Sequence, residues 1–277
     1  MDNRPIGVFD SGVGGLSIWR AIRRLLPQES LAFFADSGHV PYGEKPTEEL
    51  QDLTGRITRF LLSKDAKLIV IACNTATVHA IAHLREAFPE VPFVGVVPVV
   101  KTLARQTRTG AIAVLSTPAT SESPYLAALI REFASDKEVI NIGCDGLENM
   151  VESGQIRTRA TSALLERHLV PVKGSRADVV GLSCTNYPFL RARIKSILGP
   201  GVRLYDPSRP VARRTRQVLT ERDALAQNPA PSYTFYTTGD TSVFGDVASK
   251  LLRCPVRQVG YVDLDTVEAP SPVRVHA

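Results

Sequence analysis

Two cysteines stand at equivalent positions in two similar stretches of the sequence. Cys73 ends the run IVIAC and Cys184 ends the run VVGLSC, and each is followed by one Thr and one Asn. Apolar runs of this length are typical of buried strands, so both thiols are expected where a strand reaches the surface. A thiol in such a place can act as a nucleophile, or as an acid and a base if it alternates between thiol and thiolate.

Two acid/base groups on opposite sides of one carbon atom have a specific use. One removes a proton from one face and the other delivers a proton to the opposite face, which inverts the stereocentre. Nucleophilic catalysis would instead call for a neighbouring histidine. His79 and His83 lie on the helix expected after Cys73, but beyond its first turn, so we predict surface or packing roles for them. The hypothesis is that Cys73 and Cys184 face each other across one small substrate.

A helix that begins at a cysteine favours the thiolate. Its partial positive charge lowers the thiol pKa from an ordinary value of about 8.5. Both cysteines are expected to precede helices directly, so we predict a lowered pKa for each. The backbone N–H groups at the same helix starts are suited to carboxylate anions, which favours an acidic small molecule as the ligand.

Other kinds of site find little support in the sequence. The four cysteines form no C-x-x-C pair and no histidine stands at zinc-finger spacing, so we predict no metal site. The segment DSGVGGLS lacks the lysine of a P-loop, and no lysine occupies a turn suited to a Schiff base. We therefore predict no cofactor. Asp36 lies at the distance where a dinucleotide-binding fold places an acidic residue, and this alternative stays open.

Composition describes an ordinary globular chain with a basic balance. Of its 277 residues 44% are hydrophobic and 22% charged, and the net charge is +5. The positive charge is scattered except in RAIRRL (20–25) and RPVARRTR (209–216), where the spacing predicts solvated helix faces. We predict no nucleic-acid partner. No stretch has the ~20 apolar residues of a membrane span and the N-terminus lacks a signal pattern, so a cytoplasmic location without a membrane partner is expected.

Apolar strands alternate with helical patterns along most of the chain. Strands buried on both faces and separated by helices predict an α/β class with mainly parallel sheets. The predicted strands are Ile6–Phe9, Leu31–Ala35, Leu68–Ala72, Phe93–Val97, Ala111–Leu115, Glu138–Gly143, Asp178–Ser183, Arg203–Asp206, Tyr233–Asp240 and Val256–Val262. The predicted helices are Leu16–Leu26, Thr47–Ser63 with a capping box at Thr47, Thr77–Ala87, Ser121–Ala134, Ile156–Leu169, Tyr187–Leu198 and Val243–Leu252.

The strand ends indicate an internal duplication. Polar strand ends at Asp10 and Cys73 are 63 residues apart, and those at Ser116 and Cys184 are 68 apart. We predict two similar α/β domains, 1–97 with 209–277 and 98–208, whose last two strands return to complete the first sheet. The end of the chain, 265–277, contains prolines and is expected to be frayed.

Ligands of open parallel sheets bind at the carboxyl ends of the strands. We therefore expect the active site in the cleft between the two domains, lined by small hydroxyl and amide groups. The strand-end residues that define this site are Asp10, Ser11, Cys73, Asn74, Thr75, Thr117, Thr120, Cys184, Thr185 and Asn186.

Seven blocks of the sequence resemble, in order, those of the glutamate racemase family. They are IGVFDSGVGGLS, DSGHVPYGEKP, IACNTAT, STPATSESPY, GLSCTNYPF, DPSRPVA and FYTTGD, and they extend from Ile6 to about Leu252. This family belongs to the cofactor-independent aspartate/glutamate racemase superfamily. The resemblance implies two α/β domains with the active site between them, and an isomerase that makes D-glutamate for peptidoglycan in the cytoplasm.

The resemblance also implies roles for individual residues. Cys73 and Cys184 would be the acid/base thiols, with Asp10 assisting Cys73 and Glu152 near Cys184. The residues implied to hold the polar groups of glutamate are Ser11, Tyr42, Gly43, Asn74, Thr75, Thr117, Thr120 and Thr185, joined by Asn186.

Asn186 departs from the family pattern, which has histidine at this position of Cys-Thr-His-Tyr-Pro. Asparagine can orient a ligand by hydrogen bonds but cannot take a proton. Three readings stay open: glutamate racemisation with an altered rate, racemisation of aspartate or another amino acid, and an impaired regulatory binder, for example of DNA gyrase. A homodimer also stays open.

Overall fold

The computed structural model describes residues 1–267 and divides the chain into two compact units. Unit 1 combines Met1–Val96 with the chain from Ser208 onward, and unit 2 is Val97–Pro207. That these units are the two predicted domains stays a prediction. The predicted frayed end, 265–277, lies outside the described residues from residue 268 onward.

The α/β class is confirmed by ten strands and eleven α-helices within residues 1–267. The strands are β1 Ile6–Asp10, β2 Leu31–Ala35, β3 Leu68–Ile71, β4 Phe93–Gly95, β5 Ala111–Ser116, β6 Glu138–Gly143, β7 Val179–Leu182, β8 Arg203–Tyr205, β9 Tyr233–Thr237 and β10 Val259–Tyr261. The helices are α1 Leu16–Leu25, α2 Thr47–Ser63, α3 Asn74–Ala87, α4 Val100–Gln106, α5 Pro118–Ser121, α6 Pro124–Phe133, α7 Leu147–Glu152, α8 Arg159–Lys173, α9 Arg191–Leu198, α10 Ser208–Glu221 and α11 Thr241–Leu252.

The two sheets repeat one topology. Unit 1 has the strand order β10-β9-β2-β1-β3-β4, and unit 2 has the order β6-β5-β7-β8. The four strands β2-β1-β3-β4 thus correspond in order to β6-β5-β7-β8, and every strand pair given by the structure is parallel. Two similar units are therefore confirmed, as is the return of the last two strands to the first sheet.

Burial explains why these segments form strands. All residues of β1, β2, β3, β5 and β7 are buried, as expected for strands covered by helices on both faces. The outer strands β6 and β8 are only partly buried. The most deeply buried strands of each sheet therefore include those that end near Asp10, Cys73, Thr117 and Cys184.

Two predicted features at helix starts differ from the structure. The helix predicted over Ser121–Ala134 begins at Pro124 instead, because Ser123 caps α6 by accepting a hydrogen bond from the backbone N–H of Leu126 at 3.1 Å. The capping box at Thr47 does not form either: Pro46 occupies the N-cap of α2. The Thr47 hydroxyl instead lies 2.9 Å from His79 Nδ1 on α3.

Asp178 anchors the start of the strand that leads to Cys184. Its carboxylate accepts hydrogen bonds from Thr107 Oγ1 at 2.6 Å, the Arg108 backbone N–H at 3.1 Å and Arg203 at 2.8 Å. Partial burial alone would raise the pKa of Asp178, but these hydrogen bonds outweigh it and the pKa lies well below the ordinary value. The carboxylate thereby ties together the starts of β5, β7 and β8.

Within residues 1–267, no helix is long and apolar enough to cross a membrane.

Candidate functional site

Cys73 lies immediately beyond the ladder between β1 and β3. The backbone N–H of Ala72 donates to the carbonyl oxygen of Phe9 at 2.7 Å, which brings Cys73 beside Asp10 at the end of β1. Cys73 is the extended N-cap of α3, and its carbonyl accepts from the N–H of Thr77 at 2.9 Å. This thiol therefore stands where the sequence predicts it, at a strand end and a helix start.

Asp10 is held by the glycine-rich turn that follows β1. Its Oδ2 accepts from the backbone N–H of Gly15 at 2.6 Å. A Cβ atom at Gly15 would lie 2.7 Å from Asp10 Cβ, so only glycine allows this approach. Ser11 Oγ is 3.5 Å from Asp10 Oδ1 and 3.7 Å from Cys73 Sγ. The structure thus brings together three predicted site residues, Asp10, Ser11 and Cys73.

The predicted lowering of the Cys73 pKa is wrong. Burial, and after it the charge of Asp10, raises the pKa of Cys73 to about 12. Hydrogen bonds from the Ala76 backbone and from Ser11 act in the opposite direction but are outweighed. Only 6% of Cys73 is exposed, and removing a thiolate from water costs more than the helix start returns. Cys73 is therefore a thiol at neutral pH.

Tyr42 is placed near this thiol, but its hydroxyl is already engaged. Tyr42 is 3% exposed, and its hydroxyl donates to Asp36 Oδ2 at 2.5 Å. The fully buried Asp36 also accepts from Thr238 Oγ1 at 2.7 Å and lies 2.6 Å from His39 Nδ1. Burial, with the charges of Asp36, Cys73 and Asp10, raises the pKa of Tyr42 well above its ordinary value.

These contacts show that Asp36 has a structural role. Its two carboxylate oxygens hold the loop before α2 against the end of β9, which argues against the dinucleotide alternative. The Tyr42 hydroxyl is thus engaged within the protein. Gly43, the next residue, is exposed. On α3, Asn74 is buried and Thr75 is half-buried in the first turn.

Unit 2 repeats the strand-end arrangement around its own cysteine. The backbone N–H of Ser183 donates to the carbonyl oxygen of Leu115 at 2.8 Å, and Cys184 follows immediately. Cys184 is 8% exposed. The sequence predicts an α-helix directly after Cys184, and this is corrected by the structure. The carbonyl of Cys184 accepts from the Tyr187 N–H at 3.1 Å, and a short 3₁₀ helix, Tyr187–Leu190, precedes α9.

Thr117 and Thr120 lie together at the end of β5. Thr117 caps α5, and its Oγ1 accepts from the Thr120 N–H at 3.4 Å and donates to Thr120 Oγ1 at 3.0 Å. Glu152 is half-buried at the end of α7, and that helix packs against the Tyr187–Leu190 segment.

Thr185 and Asn186 form the turn after Cys184 and are both buried, with 5% and 7% exposed. The side-chain oxygen of Asn186 makes no hydrogen bond with any residue among 1–267. Leaving a buried polar atom without a hydrogen bond costs about 1–3 kcal/mol. Asn186 is therefore suited to bind a ligand that supplies the missing partner.

Tyr187 is a positioning residue that sequence reasoning missed. It is fully buried, and its hydroxyl donates to the carbonyl oxygens of Ser116 at 3.1 Å and Cys144 at 3.4 Å. Burial, with a smaller effect of Cys184, raises the pKa of Tyr187 well above its ordinary value. The Tyr-Pro pair after the Cys-Thr-Asn turn was visible in the sequence, but its long-range partners were not.

Each unit thus offers a buried thiol beside small polar groups at the carboxyl edge of a parallel sheet. Such a set can bind carboxylates and exchange protons with a bound molecule. Within residues 1–267, no group of three or more His, Cys, Asp or Glu side chains is placed to hold a metal ion.

The effect of Asp10 on the pKa of Cys73 can be tested by substitution. Replacing Asp10 with Asn keeps an acceptor for Gly15 but removes the charge that disfavours the thiolate, so the pKa of Cys73 falls. Because the thiolate is the nucleophile, alkylation of Cys73 by iodoacetamide at pH 8 should accelerate about threefold to tenfold for each pKa unit, followed by peptide mass spectrometry. In the wild-type protein the rate should keep rising with pH beyond pH 10.

Asp246→Asn, which removes an exposed carboxylate of unit 1, is the matched control and should leave the Cys73 rate unchanged. A wild-type rate that levels off between pH 8 and 9, or an unchanged rate in Asp10→Asn, would contradict the account.

The hydroxyl of Tyr42 makes a second prediction. Tyr42→Phe deprives the buried Asp36 carboxylate of one donor, so the free energy of unfolding should fall by about 1–3 kcal/mol in denaturant titrations. Tyr261→Phe is the control, since Tyr261 is 65% exposed, and it should change stability by less than about 0.5 kcal/mol. Unchanged stability of Tyr42→Phe would contradict this role of the hydroxyl as a structural donor to Asp36.

Comparison with known proteins agrees with this arrangement. Residues 7–215 match the family model described as Asp/Glu/Hydantoin racemase. The glutamate racemase of Ectopseudomonas mendocina is 46% identical over 236 residues, which cover 85% of this chain and 90% of that protein.

Solved structures give the same result. Glutamate racemase isoform RacE1 from Bacillus anthracis superposes with a TM-score of 0.83 at 32% identity, covering 95% of this chain and 99% of that one. Escherichia coli glutamate racemase, solved with L-glutamate and the activator UDP-MurNAc-ala, also has a TM-score of 0.83, at 30% identity, covering 94% and 98%. The resemblance noted in the sequence and the isomerase class it implied are confirmed: this chain belongs to the Asp/Glu/hydantoin racemase family.

Proposed function

We propose that this chain is a cofactor-independent glutamate racemase in which Cys73 and Cys184 are the two acid/base groups. One observation carries the proposal. In each unit a buried cysteine directly follows the last backbone hydrogen bond between two equivalent strands, β1 and β3 in unit 1 and β5 and β7 in unit 2. The identity of 46% to a glutamate racemase over most of the chain supports glutamate as the substrate.

The reaction is a transfer of two protons on one carbon atom. A thiolate removes the Cα proton from one face of the bound amino acid and becomes a thiol. The other thiol delivers its proton to the opposite face and becomes the thiolate, so the stereocentre is inverted and one thiolate remains. The reverse direction uses the same two groups in exchanged roles, and no redox step or cofactor is needed.

The protonation state of Cys73 fits the role of the proton donor in this cycle. Because its pKa is about 12 without substrate, Cys73 starts as the proton donor. To act as the base for the other enantiomer it must lose its proton when substrate binds. The ammonium group of the amino acid supplies a positive charge that favours the thiolate, so substrate binding and thiol ionisation are coupled.

The remaining site residues would hold and polarise the substrate. Backbone N–H groups at the starts of α3 and α5 would bind the two carboxylates together with side-chain hydroxyls near the strand ends. The same groups would stabilise negative charge that develops during proton removal. We propose this substrate-binding set: Ser11, Thr75, Thr117, Thr120 and Thr185, with Asn74 and the backbone at Tyr42 and Gly43.

Asn186 and the two carboxylates have distinct proposed roles. The side-chain oxygen of Asn186 can accept a hydrogen bond from the substrate ammonium, which an imidazolium could not do. Asp10 would promote return of the proton to Cys73, since its charge favours the thiol. Glu152 would act in the same way near Cys184.

We further propose that the product, D-glutamate, serves peptidoglycan synthesis in the cytoplasm, where thiols stay reduced.

Deuterium exchange in heavy water tests the substrate directly. The purified chain is incubated separately with L-glutamate, D-glutamate, L-aspartate and D-aspartate, and Cα deuteration is followed by NMR alongside optical rotation. Both glutamate enantiomers should exchange and racemise, and aspartate, one methylene shorter, should react at least about tenfold more slowly.

Folded protein that exchanges neither glutamate enantiomer would refute the proposal, and exchange of aspartate alone would indicate a different racemase. Deuteration of glutamate without inversion would mean that a single base acts. Rescue of a D-glutamate auxotroph by the same gene then tests the physiological role, with the empty vector as the control.

A further inference from the structure

The two basic runs of the sequence, distant along the chain, lie side by side in unit 1. Helix α1 packs against helix α10, and their apolar sides are buried in the unit. The two helices together carry seven arginines, no lysine and one glutamate: Arg20, Arg23, Arg24, Arg209, Arg213, Arg214, Arg216 and Glu221. Their charge of +6 exceeds the +5 of the whole chain, so the rest of the chain sums to −1.

Four exposed arginines on these helices have no ion-pair partner among residues 1–267. They are Arg24, Arg209, Arg213 and Arg216, whereas Arg214 lies near Glu221. The spacing of Arg209, Arg213 and Arg216 places them on one stripe of α10, about 10 Å long at ~1.5 Å per residue. Arg23 is held beside this surface by packing over the ring of Tyr233 at 4.8 Å.

We call Arg23, Arg24, Arg209, Arg213 and Arg216 together the α1/α10 surface. We propose that the α1/α10 surface binds the phosphate backbone of double-stranded nucleic acid without sequence preference. Guanidinium groups bind phosphates through paired, rigid donors, better than the point charge of lysine. The three arginines of this stripe can each neutralise one phosphate of a strand, which would make binding depend steeply on salt. None of its arginines belongs to the strand-end residues proposed for racemisation, and the inference stands independently of that proposed function.

The surface fits a duplex better than a membrane. Helices that bind a bilayer surface insert an apolar face into the lipid. The apolar faces of α1 and α10 are instead buried in unit 1, and neither helix contributes an exposed large apolar side chain among residues 1–267. The sequence alone predicted solvated helix faces and no nucleic-acid partner because the two runs are separate along the chain; the fold joins them into one surface.

Fluorescence anisotropy with a labelled DNA duplex of random sequence tests the proposal. The wild-type protein should bind at about 50 mM salt and lose affinity steeply by about 200 mM, because each neutralised phosphate adds about −0.9 to the slope of log K against log salt. The triple variant Arg24→Gln, Arg213→Gln, Arg216→Gln should bind at least tenfold more weakly, with a slope smaller in magnitude by about 2–3.

The matched control removes the same charge from exposed positions in unit 2. Arg157→Gln, Arg159→Gln, Arg167→Gln should change the duplex affinity by less than about twofold, and both triple variants should keep wild-type thermal unfolding and racemisation. Equal loss of affinity in both variants would reduce the effect to net charge and overturn the proposal. Absence of duplex binding by the wild type, or binding only to phosphatidylglycerol vesicles, would overturn it as well.

Discussion

One backbone hydrogen bond in each unit determines where its thiol stands. In unit 1 the N–H of Ala72 closes the ladder to Phe9, and in unit 2 the N–H of Ser183 closes the ladder to Leu115. The cysteine is the next residue in both cases, at the first point where the chain leaves a strand that is buried throughout. A parallel sheet buried on both faces offers polar groups access to a ligand only at such edges, so the chemistry follows from the register of the strands.

Burial decides how the thiol of Cys73 behaves. Three hydrogen bonds, one from the Ala76 backbone at the helix start and two from Ser11, favour its thiolate, yet desolvation and the nearby Asp10 prevail and raise its pKa to about 12. A thiol held in this state is resistant to oxidation and alkylation while no substrate is present, because the thiolate is the reactive form. In the proposed reaction, the same desolvation would strengthen the effect of the substrate ammonium group, so that substrate binding itself would favour the thiolate that acts as the base.

The sequence predicted the strands well because strands buried on both faces leave a continuous apolar pattern. It predicted Leu31–Ala35 and Glu138–Gly143 with the observed bounds and placed both cysteines at strand ends. It failed where the outcome depends on contacts between distant residues. The hydroxyl of Tyr42 is taken by Asp36, which Thr238 also holds from the far end of the chain. No local pattern reports such a partner, nor the packing of α1 on α10. The pKa of Cys73 was predicted in the wrong direction because the sequence shows the helix start but not the loss of solvent.

The most direct test of the two-thiol account is glutamate racemisation by single cysteine variants. Cys73→Ala and Cys184→Ala should each lose turnover by at least about 100-fold while remaining folded, because each removes one of two indispensable proton-transfer groups. Cys144→Ala and Cys254→Ala remove thiols that the account does not use, and they should retain turnover when folded. Near wild-type turnover in either Cys73→Ala or Cys184→Ala would contradict the central claim.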